Sequence, residues 1–388
     1  MAHYYNDPAG GTQSTVGKQL RDFYYARDAI TEIAKEQYFT PLASTTDMPM
    51  HYGRRIVRYI YVPLLDDRNI NDQGIDATGV VTENGNLYGS SKDIGKITDK
   101  MPALSESGGR VNRVGFTRKT LEGTFQNYGY FTEYTEDSVN FDTDEQLMTH
   151  VNREMLKGAN EITEALLQID LINNAGVTKY AGVATQASEV GKTSLVTYQD
   201  LVNLVTDLDN NRTPKDTKIN TGSVKVDTKT INAARLLYIG SEVKNTLRKM
   251  TDFFENPAFI GVQHYADGTK PLKGEIGTID EFRIIVVPEM FKWAGAGQAA
   301  TAADGVHLTA GKVDVFPMLV IGSESFTTIG FQSDAKSVKF KIIHKKPGEN
   351  VGPQDPYGKL GFMSIQWWYG FMVIRPERIA LIKTAALV

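Results

Sequence analysis

Hydrophobic residues recur at three- and four-residue steps in three long stretches of the chain, which is the spacing of one face of an α-helix. The first stretch predicts a helix over 18–38, and the third predicts a helix over 198–209 that is capped by Thr197. The second begins at Thr143 and ends at a stop signal near Gly176. At about 1.5 Å per residue this second helix is roughly 45 Å long, so we interpret it as a spine of the fold.

The predicted spine helix has a distinct beginning and two distinct faces. Its first residues, Thr143-Asp144-Glu145-Gln146, form a capping-box sequence with acidic residues in the positive first turn. Hydrophobic side chains at helical spacing predict a buried seam of Leu147, Val151, Met155, Ile162, Leu166 and Ile169. The opposite face is of mixed charge, and we expect it to contact water or a polar neighbour; it comprises Asn152, Arg153, Lys157, Glu161 and Glu164.

Alternating side chains predict a strand over 54–62 and a second strand-like stretch over 111–131. About fifty residues without clear periodicity separate the two, whereas connections in compact domains have a median of about 4–6 residues. We therefore predict that this segment projects from the body as a hairpin. An isolated two-stranded hairpin is only marginally stable in water, so it should lie on another surface. In the first strand the two predicted faces are Ile56, Ile60 and Val62 against Val57, Tyr59 and Tyr61.

Strands and one short helix alternate in the remainder of the chain, which predicts an α+β fold with a mixed or antiparallel sheet. The predicted helix covers 242–250 and is capped by Ser241. The predicted strands cover 235–239, 283–287, 313–321, 338–343, 363–374 and 379–383.

The amino-acid composition is that of an ordinary folded protein. Its 388 residues suggest two or three domains, and 41% are hydrophobic and 23% charged. The net charge of -4 gives no overall attraction to nucleic acid or anionic lipid. No hydrophobic run is long enough to span a membrane, and the start does not read as a secretory signal. Residues 7–17, rich in Gly, Ser and Thr, are expected to form a flexible arm.

The residue types that carry chemistry are scarce or badly spaced. Cysteine is absent, which excludes disulfides, thiolate nucleophiles and cysteine-ligated metals, and is compatible with a reducing compartment. The six histidines never come close enough in sequence to form a His-x-x-x-His zinc face. We therefore predict no catalytic, cofactor-binding or metal-binding residues, and no enzyme activity.

Three short motifs resemble ligand-binding loops, and each lacks a required feature. Gly191-Lys192-Thr193 lacks the earlier glycine of a phosphate loop, because Gln186 stands there, and is interpreted as a surface turn. Gly295 and Gly297 have the spacing of a dinucleotide fingerprint, but a polar segment follows where a helix should begin, so a flexible loop is predicted. The calcium-like segment 67–78 lacks the obligatory Gly and Glu.

Basic residues are concentrated near the front of the chain. They are Arg54, Arg55 and Arg58 together with Lys18, Arg21 and Arg27. One interpretation is an ordinary charged surface or a set of ion pairs between subunits. The alternative is non-specific contact with a nucleic-acid backbone, which requires several basic side chains on one face and no base reading. Arg54, Arg55 and Arg58 are therefore candidate DNA-facing or intersubunit residues.

The C-terminal third contains a series of short, specific motifs. They are Gly274-Glu275-Ile276-Gly277, Phe282-Arg283-Ile284-Ile285, Pro288-Glu289, Val313-Asp314-Val315-Phe316-Pro317, Leu319-Val320-Ile321-Gly322, His344-Lys345-Lys346-Pro347-Gly348, Asp355-Pro356, Gly361, Trp367 and Ile374-Arg375-Pro376-Glu377-Arg378-Ile379-Ala380. With these motifs the chain resembles the major capsid proteins of N-four-like short-tailed phages. The likeness is sharp from about 274 to 383 and looser over the spine helix and the projecting segment.

This resemblance implies the Hong Kong 97-type capsid fold. Its expected parts are an N-terminal arm (1–45), an E-loop hairpin with flanking strands (46–135), a P-domain spine helix (136–195), an A-domain (196–332), P-domain strands (333–369) and a closing strand region (370–388).

The resemblance also implies a function. Subunits of this family form pentamers and hexamers that close an icosahedral shell around double-stranded DNA in the virion, after assembly in the cytoplasm of the bacterial host. The implied partners are further copies of the chain, portal and decoration or cement proteins, and packaged DNA without sequence preference; no membrane and no cofactor are implied. Only about forty residues precede the first predicted strand, so we expect a separate scaffold protein. The alternatives are another ring or tube protein of the virion and, from a different class, an enzyme with a cleft in the α+β domain.

Overall fold

The structure is a computed structural model in which eleven segments and two single residues are described. They are residues 37–48, 51–64, 93–97, 104, 106, 114–141, 147–220, 228–231, 235–264, 271–331, 340–349, 351–353 and 355–388. The predicted arm, the capping box at Thr143 and the calcium-like segment lie outside these residues, as do nearly all of the helix over 18–38 and most of the projecting segment.

Strands outnumber helices in the described part of the chain. The strands are β1 (Ser44–Met48), β2 (Arg55–Tyr61), β3 (Arg118–Thr135), β4 (Val177–Tyr180), β5 (Thr217–Asn220), β6 (Thr228–Ile231), β7 (Arg235–Ile239), β8 (Ile260–Gly261), β9 (Glu275–Ile279), β10 (Phe282–Val286), β11 (Leu308–Thr309), β12 (Lys312–Val313), β13 (Phe316–Ile321), β14 (Phe326–Phe331), β15 (Lys341–Lys345), β16 (Leu360–Val373) and β17 (Ile379–Thr384). The helices are α1 (Ile94–Ile97), α2 (Glu136–Phe141), α3 (Leu147–Asn173), α4 (Tyr198–Asn210) and α5 (Lys244–Arg248).

Two large sheets organise these strands. One has the order β1-β14-β16-β3-β2, with β15 also paired to β16, and the other has the order β4-β17-β13-β7-β10-β9-β8. In the second sheet β10 is parallel to β7 and antiparallel to β9, so the sheet is mixed. The prediction of an α+β fold with a mixed sheet is confirmed.

The chain divides into two compact units. The larger comprises residues 37–131, 158–343 and 364–388, and the smaller includes 132–157 and 344–363. In the smaller unit Tyr134 Oη and His344 Nε2 are hydrogen-bonded at 2.5 Å. The Glu136 amide donates to the Lys359 carbonyl at 2.8 Å, and the Lys359 amide donates to the Asp355 carboxylate at 3.1 Å. These bonds tie the end of β3 to the loop before β16.

The core of the larger unit lies on the seven-stranded sheet. All five residues of β7 and all six of β13 are buried, as continuous hydrophobic runs in central strands require. Helix α4 begins with the predicted cap: Thr197 accepts from the Asp200 amide, and the Asp200 carboxylate accepts from the Thr197 amide. Leu201, Leu204, Val205 and Leu208 form its buried face, against the sheet.

Two predicted elements are wrong in detail. The helix over 242–250 is a 3-10 turn (Ser241–Val243) followed by α5. Ser241 does not cap it, because Ser241 lies inside the 3-10 turn and the residue before α5 is Val243. The strand over 313–321 is divided into β12 and β13. Its middle residues pair elsewhere: the Asp314 amide donates to the His307 carbonyl, and Val315 exchanges two hydrogen bonds with Trp293.

The buried stripe of α3 differs from the predicted seam. The side chains that face the interior recur every four residues, and they are Met155, Ala159, Thr163, Leu167 and Leu171. Ile162 and Ile169, which the prediction placed in the seam, are 41% and 44% exposed. Ala159 and Thr163 are small enough for close packing, and this leaves a second hydrophobic stripe outside the core.

Candidate assembly surfaces

The predicted hairpin has a well-defined root. Strands β2 and β3 are antiparallel, in register from Arg55 opposite Thr124 to Tyr61 opposite Arg118. Beyond the last pair, the Val62 amide donates to the Thr117 carbonyl at 3.0 Å. The two ends of the intervening segment therefore leave the sheet side by side, which is the geometry that a projecting hairpin requires.

One face of this root is exposed and aromatic. We call it the hairpin-root face, and it comprises Val57, Tyr59, Tyr61, Phe116 and Arg118. Tyr59 is 54%, Tyr61 65% and Phe116 64% exposed. The Arg118 guanidinium carbon lies 4.1 Å from the centroid of the Tyr59 ring, and the Tyr61 and Phe116 rings are 6.2 Å apart.

The opposite face of the same strands belongs to the core of the sheet. Ile56 and Leu121 pack against a buried cluster that includes Phe125 and Met372. The Phe125 ring meets the Trp368 ring edge-on at 5.1 Å. The predicted separation of β2 into two faces is therefore confirmed: the Ile56 face packs in the core of the sheet, and the Tyr59 face is largely exposed.

The three candidate arginines do not form one basic face. Arg54 lies over Trp368, with its guanidinium carbon 5.6 Å from the ring centroid, and Arg58 donates to Thr46 Oγ1 at 2.8 Å. Arg55 forms an ion pair with Glu122 at 2.7 Å. Because side chains alternate along a strand, Arg54 and Arg58 lie on the Ile56 side and Arg55 on the opposite side. The other basic residues of the predicted concentration precede residue 37, outside the described residues.

An anchor that the sequence did not reveal holds the segment before β1. The Glu164 carboxylate on α3 accepts from the amides of Tyr38 (2.7 Å), Phe39 (2.6 Å) and Thr40 (3.1 Å) and from Thr40 Oγ1 (2.5 Å). The buried Phe39 ring packs at 5.1 Å from Tyr238 on β7. Burial, with a further contribution from Glu164, raises the pKa of Tyr238 well above its usual value. The mixed-charge face of α3 thus has the polar neighbour that was expected.

Two further surfaces expose hydrophobic side chains. Ile169 lines a small cleft of about 100 Å³, together with Ile172, Asn173, Phe291, Lys292 and Trp293. Elsewhere Phe254, 83% exposed, stands in a turn in which Asp252 Oδ1 accepts from the amides of Phe254 and Asn256, both at 2.8 Å. Neither surface was singled out by the sequence pattern.

A larger groove of about 440 Å³ lies on the six-stranded sheet beside the end of α3. Asp170 and Tyr369 belong to its lining, and Tyr369 Oη donates to Asp170 Oδ2 at 2.8 Å. Burial raises the pKa of the Asp170 carboxyl, although the hydrogen bond from Tyr369 opposes the rise. The lining also contains Glu122, which forms the ion pair with Arg55, and its other residues are uncharged. Both carboxylates of the groove are thus engaged in structural bonds.

The residues that carry the family resemblance build the fold. Glu275, whose side chain is fully buried, accepts two hydrogen bonds from Arg283, both at 2.7 Å. Gly274 has a φ of +76°, and a Cβ on Gly277 would collide with the Ile260 carbonyl. The Gly-Glu-Ile-Gly motif is therefore a turn and a buried ion pair.

The remaining motif-like sequences are loops. Gly191-Lys192-Thr193 is a turn before α4, as predicted, and Lys192 pairs with Asp304 at 2.9 Å. Gly295 lies in a loop, where its amide donates to the Asp314 carboxylate at 2.8 Å. No helix in the described part of the chain is long and hydrophobic enough to cross a membrane.

Comparison with known proteins gives a consistent result. A family model described as phage capsid protein matches residues 118–384. The major capsid protein of Pseudomonas phage KPP21 is 60% identical over 384 residues, which cover 98% of this chain and 97% of that protein. Among solved structures, the cyanophage Pam1 capsid has a TM-score of 0.55 at 11% identity, with 97% of this chain and 98% of that chain covered. The capsid of Ralstonia phage GP4 has a TM-score of 0.53 at 11% identity, with 94% and 95% covered. These two likenesses concern the fold alone.

Proposed function

This chain belongs to the phage capsid protein family, and on that premise we propose that its copies form pentamers and hexamers of an icosahedral shell around double-stranded DNA. It is a structural protein of the phage head, and its α+β fold is that of phage capsid proteins. The observation that carries the proposal is the hairpin root, where two paired strands leave the sheet side by side at the two ends of one intervening segment. Repeated head-to-tail contacts of such elements close rings and shells.

The domain assignment extends this proposal. We assign α3 with β15 and most of β16 to the P-domain (136–195 and 333–369), and α4 with the centre of the seven-stranded sheet to the A-domain (196–332). Residues 1–45 are then the N-terminal arm, 46–135 the E-loop hairpin with its flanking strands, and 370–388 the closing strand region. The length of α3 supports its role as the spine helix, and the anchor at Glu164 supports the arm assignment, because it holds residues 38–40 on that helix.

The partners follow from the same proposal. Further copies of the chain are the principal partner. We also propose a separate scaffold protein, a portal and decoration or cement proteins, with assembly in the bacterial cytoplasm and mature copies in the virion.

Negative-stain microscopy of the expressed chain, with its scaffold where needed, tests the proposal. Closed shells are expected. Rings or tubes that never close would favour a different virion component. A stable monomer in which residues 63–112 resist proteases would contradict the assembly role.

A contact between the candidate arginines and packaged DNA is a second, separate proposal. Charge reversal of Arg54, Arg55 and Arg58 should lower DNA retention without blocking the formation of empty shells, because phosphate contacts are electrostatic and independent of sequence. Lys312→Glu, at an exposed position on β12, is the matched control. Failure of the arginine variants to form shells would instead identify them as intersubunit residues.

A further inference from the structure

We propose that the hairpin-root face is a contact between copies of this chain, with Tyr59 and Tyr61 as its anchors. This inference rests on the proposed function and names a surface through which the copies contact each other. The face lies on β2, the last strand of the six-stranded sheet, at the point where the projecting segment leaves the body. A neighbour that receives the projection therefore also lies close to its root.

The exposure of the face indicates that it is built to be covered. Tyrosine and phenylalanine side chains bury about 150–250 Å² each when they are enclosed. Tyr59, Tyr61 and Phe116 are each more than half exposed. With Val57 they present roughly 400–500 Å² on that scale, which is the size of the largest exposed patch on a typical monomer.

The charges on the face favour a protein over nucleic acid. The positive charge of Arg55, next to the face, is balanced by Glu122 at 2.7 Å. Arg118 lies over the Tyr59 ring, with its guanidinium carbon 4.1 Å from the ring centroid, so its charge is engaged with an aromatic side chain of the same face. Tyrosine and arginine are the residue types that dominate the energetic centres of protein interfaces, whereas phosphate binding requires a surplus of cations.

The area of the face indicates which protein it binds. A stable complex of two free proteins buries about 800 Å² on each partner, and this face offers roughly half of that. It therefore cannot hold a separate partner on its own. A second copy of this chain, already positioned by other contacts of the shell, needs only such a small additional surface.

The absence of cysteine makes a direct test possible. A single cysteine is placed on the face by Tyr61→Cys and, separately, by Thr120→Cys. Thr120 is exposed opposite Tyr59 in the register, so that the second variant keeps both tyrosines. Each variant is treated with a maleimide reagent as free subunits and as assembled shells. Labelling in shells is expected to be at least about tenfold slower, because the reaction follows the fraction of accessible sites.

The outcomes separate the two proposals. If the unmodified chain forms no shells, the proposed function fails, and the face has no partner to meet. If shells form and both cysteines react as fast as in free subunits, the face is open in the shell and the inference is overturned. If Tyr61→Cys folds but does not assemble while Thr120→Cys assembles and is protected, the inference is supported, and Tyr61 is identified as an anchor.

Discussion

Replacing Glu164 by glutamine tests how the chain before β1 is held. The wild-type carboxylate uses Oε1 for the amides of Tyr38 and Phe39, and Oε2 for the amide and hydroxyl of Thr40. Glutamine has nearly the same size but retains only one acceptor oxygen. Its NH2 group would face donors in place of the other oxygen, so one pair of bonds is lost and the remaining pair is no longer assisted by charge.

The size of the effect follows from these bonds. A hydrogen bond to a charged group contributes about 1.5–3 kcal/mol, and bonds that share one acceptor do not add in full. We therefore expect the anchor to be weakened by about 2–3 kcal/mol, which is a 30- to 150-fold increase in the population with an open anchor. Opening also exposes the Phe39 ring, which packs against Tyr238 in the closed state.

Amide hydrogen exchange in the isolated subunit measures this population directly. The amides of Phe39 and Thr40 should exchange faster in Glu164→Gln, and closed shells should become fewer, because residues 38–40 are no longer held at a fixed position on α3. Glu154→Gln is the matched control on the same helix. It removes only a surface ion pair with Lys157, worth at most about 0.5 kcal/mol. If Phe39 and Thr40 exchange as slowly in Glu164→Gln as in the wild type, the carboxylate does not anchor this segment.

Three further predictions concern stability, each measured by urea denaturation. Gly277→Ala should lower the free energy of unfolding by about 1–3 kcal/mol, because the added Cβ meets the Ile260 carbonyl and the Phe259 ring. Gly352→Ala is the control, because a Cβ there meets no other atom and the free energy of unfolding should not change. Asp314→Asn should cost about 2 kcal/mol at neutral pH. Burial opposes ionisation of Asp314, but the hydrogen bonds from Lys292 and the Gly295 amide outweigh it and lower its pKa, so the difference from the wild type should shrink as the pH falls. Asp170→Asn should stabilise the protein at neutral pH, because burial raises the pKa of Asp170, and the wild type loses stability as the pH rises through that pKa.

Each of these predictions has a contrary result. Equal stability of the Gly277 and Gly352 variants would show that the backbone can move away at Gly277. A cost of Asp314→Asn that is the same at low and neutral pH would mean that packing, not charge, is lost. A destabilised Asp170→Asn variant at neutral pH would mean that Tyr369 requires a charged acceptor.

Sequence patterns predicted those parts of the fold that depend on local geometry. Alternation along β2 assigned Tyr59 and Tyr61 to one face and Ile56 to the other, because the two-residue period of a strand is set by the backbone. By the same rule the side chain of Arg55 lies on the other face of the strand from those of Arg54 and Arg58. The sequence therefore already indicated that the three arginines do not share a face.

Patterns failed where the choice depends on distant parts of the chain. Helix α3 has two hydrophobic stripes, and periodicity cannot tell which one a sheet will cover; the stripe with the small residues Ala159 and Thr163 is buried, and Ile162 and Ile169 are exposed. The Glu164 anchor joins residues that are more than 120 positions apart in the sequence, so no local motif predicts it. Ser241 was a plausible cap by residue type, but the chain makes a 3-10 turn over Ser241–Val243, so α5 begins after Val243.

The position of β17 has a consequence for how the protein is made. This strand lies between β4 and β13, although it follows every other strand of its sheet in sequence. During translation the gap between those two strands stays open until residues 379–384 have left the ribosome. A chain that terminates early therefore lacks an internal strand and leaves β4 and β13 without their partner, as unpaired edges that chaperones and proteases recognise. We therefore expect truncated copies to be degraded before they can be built into a head.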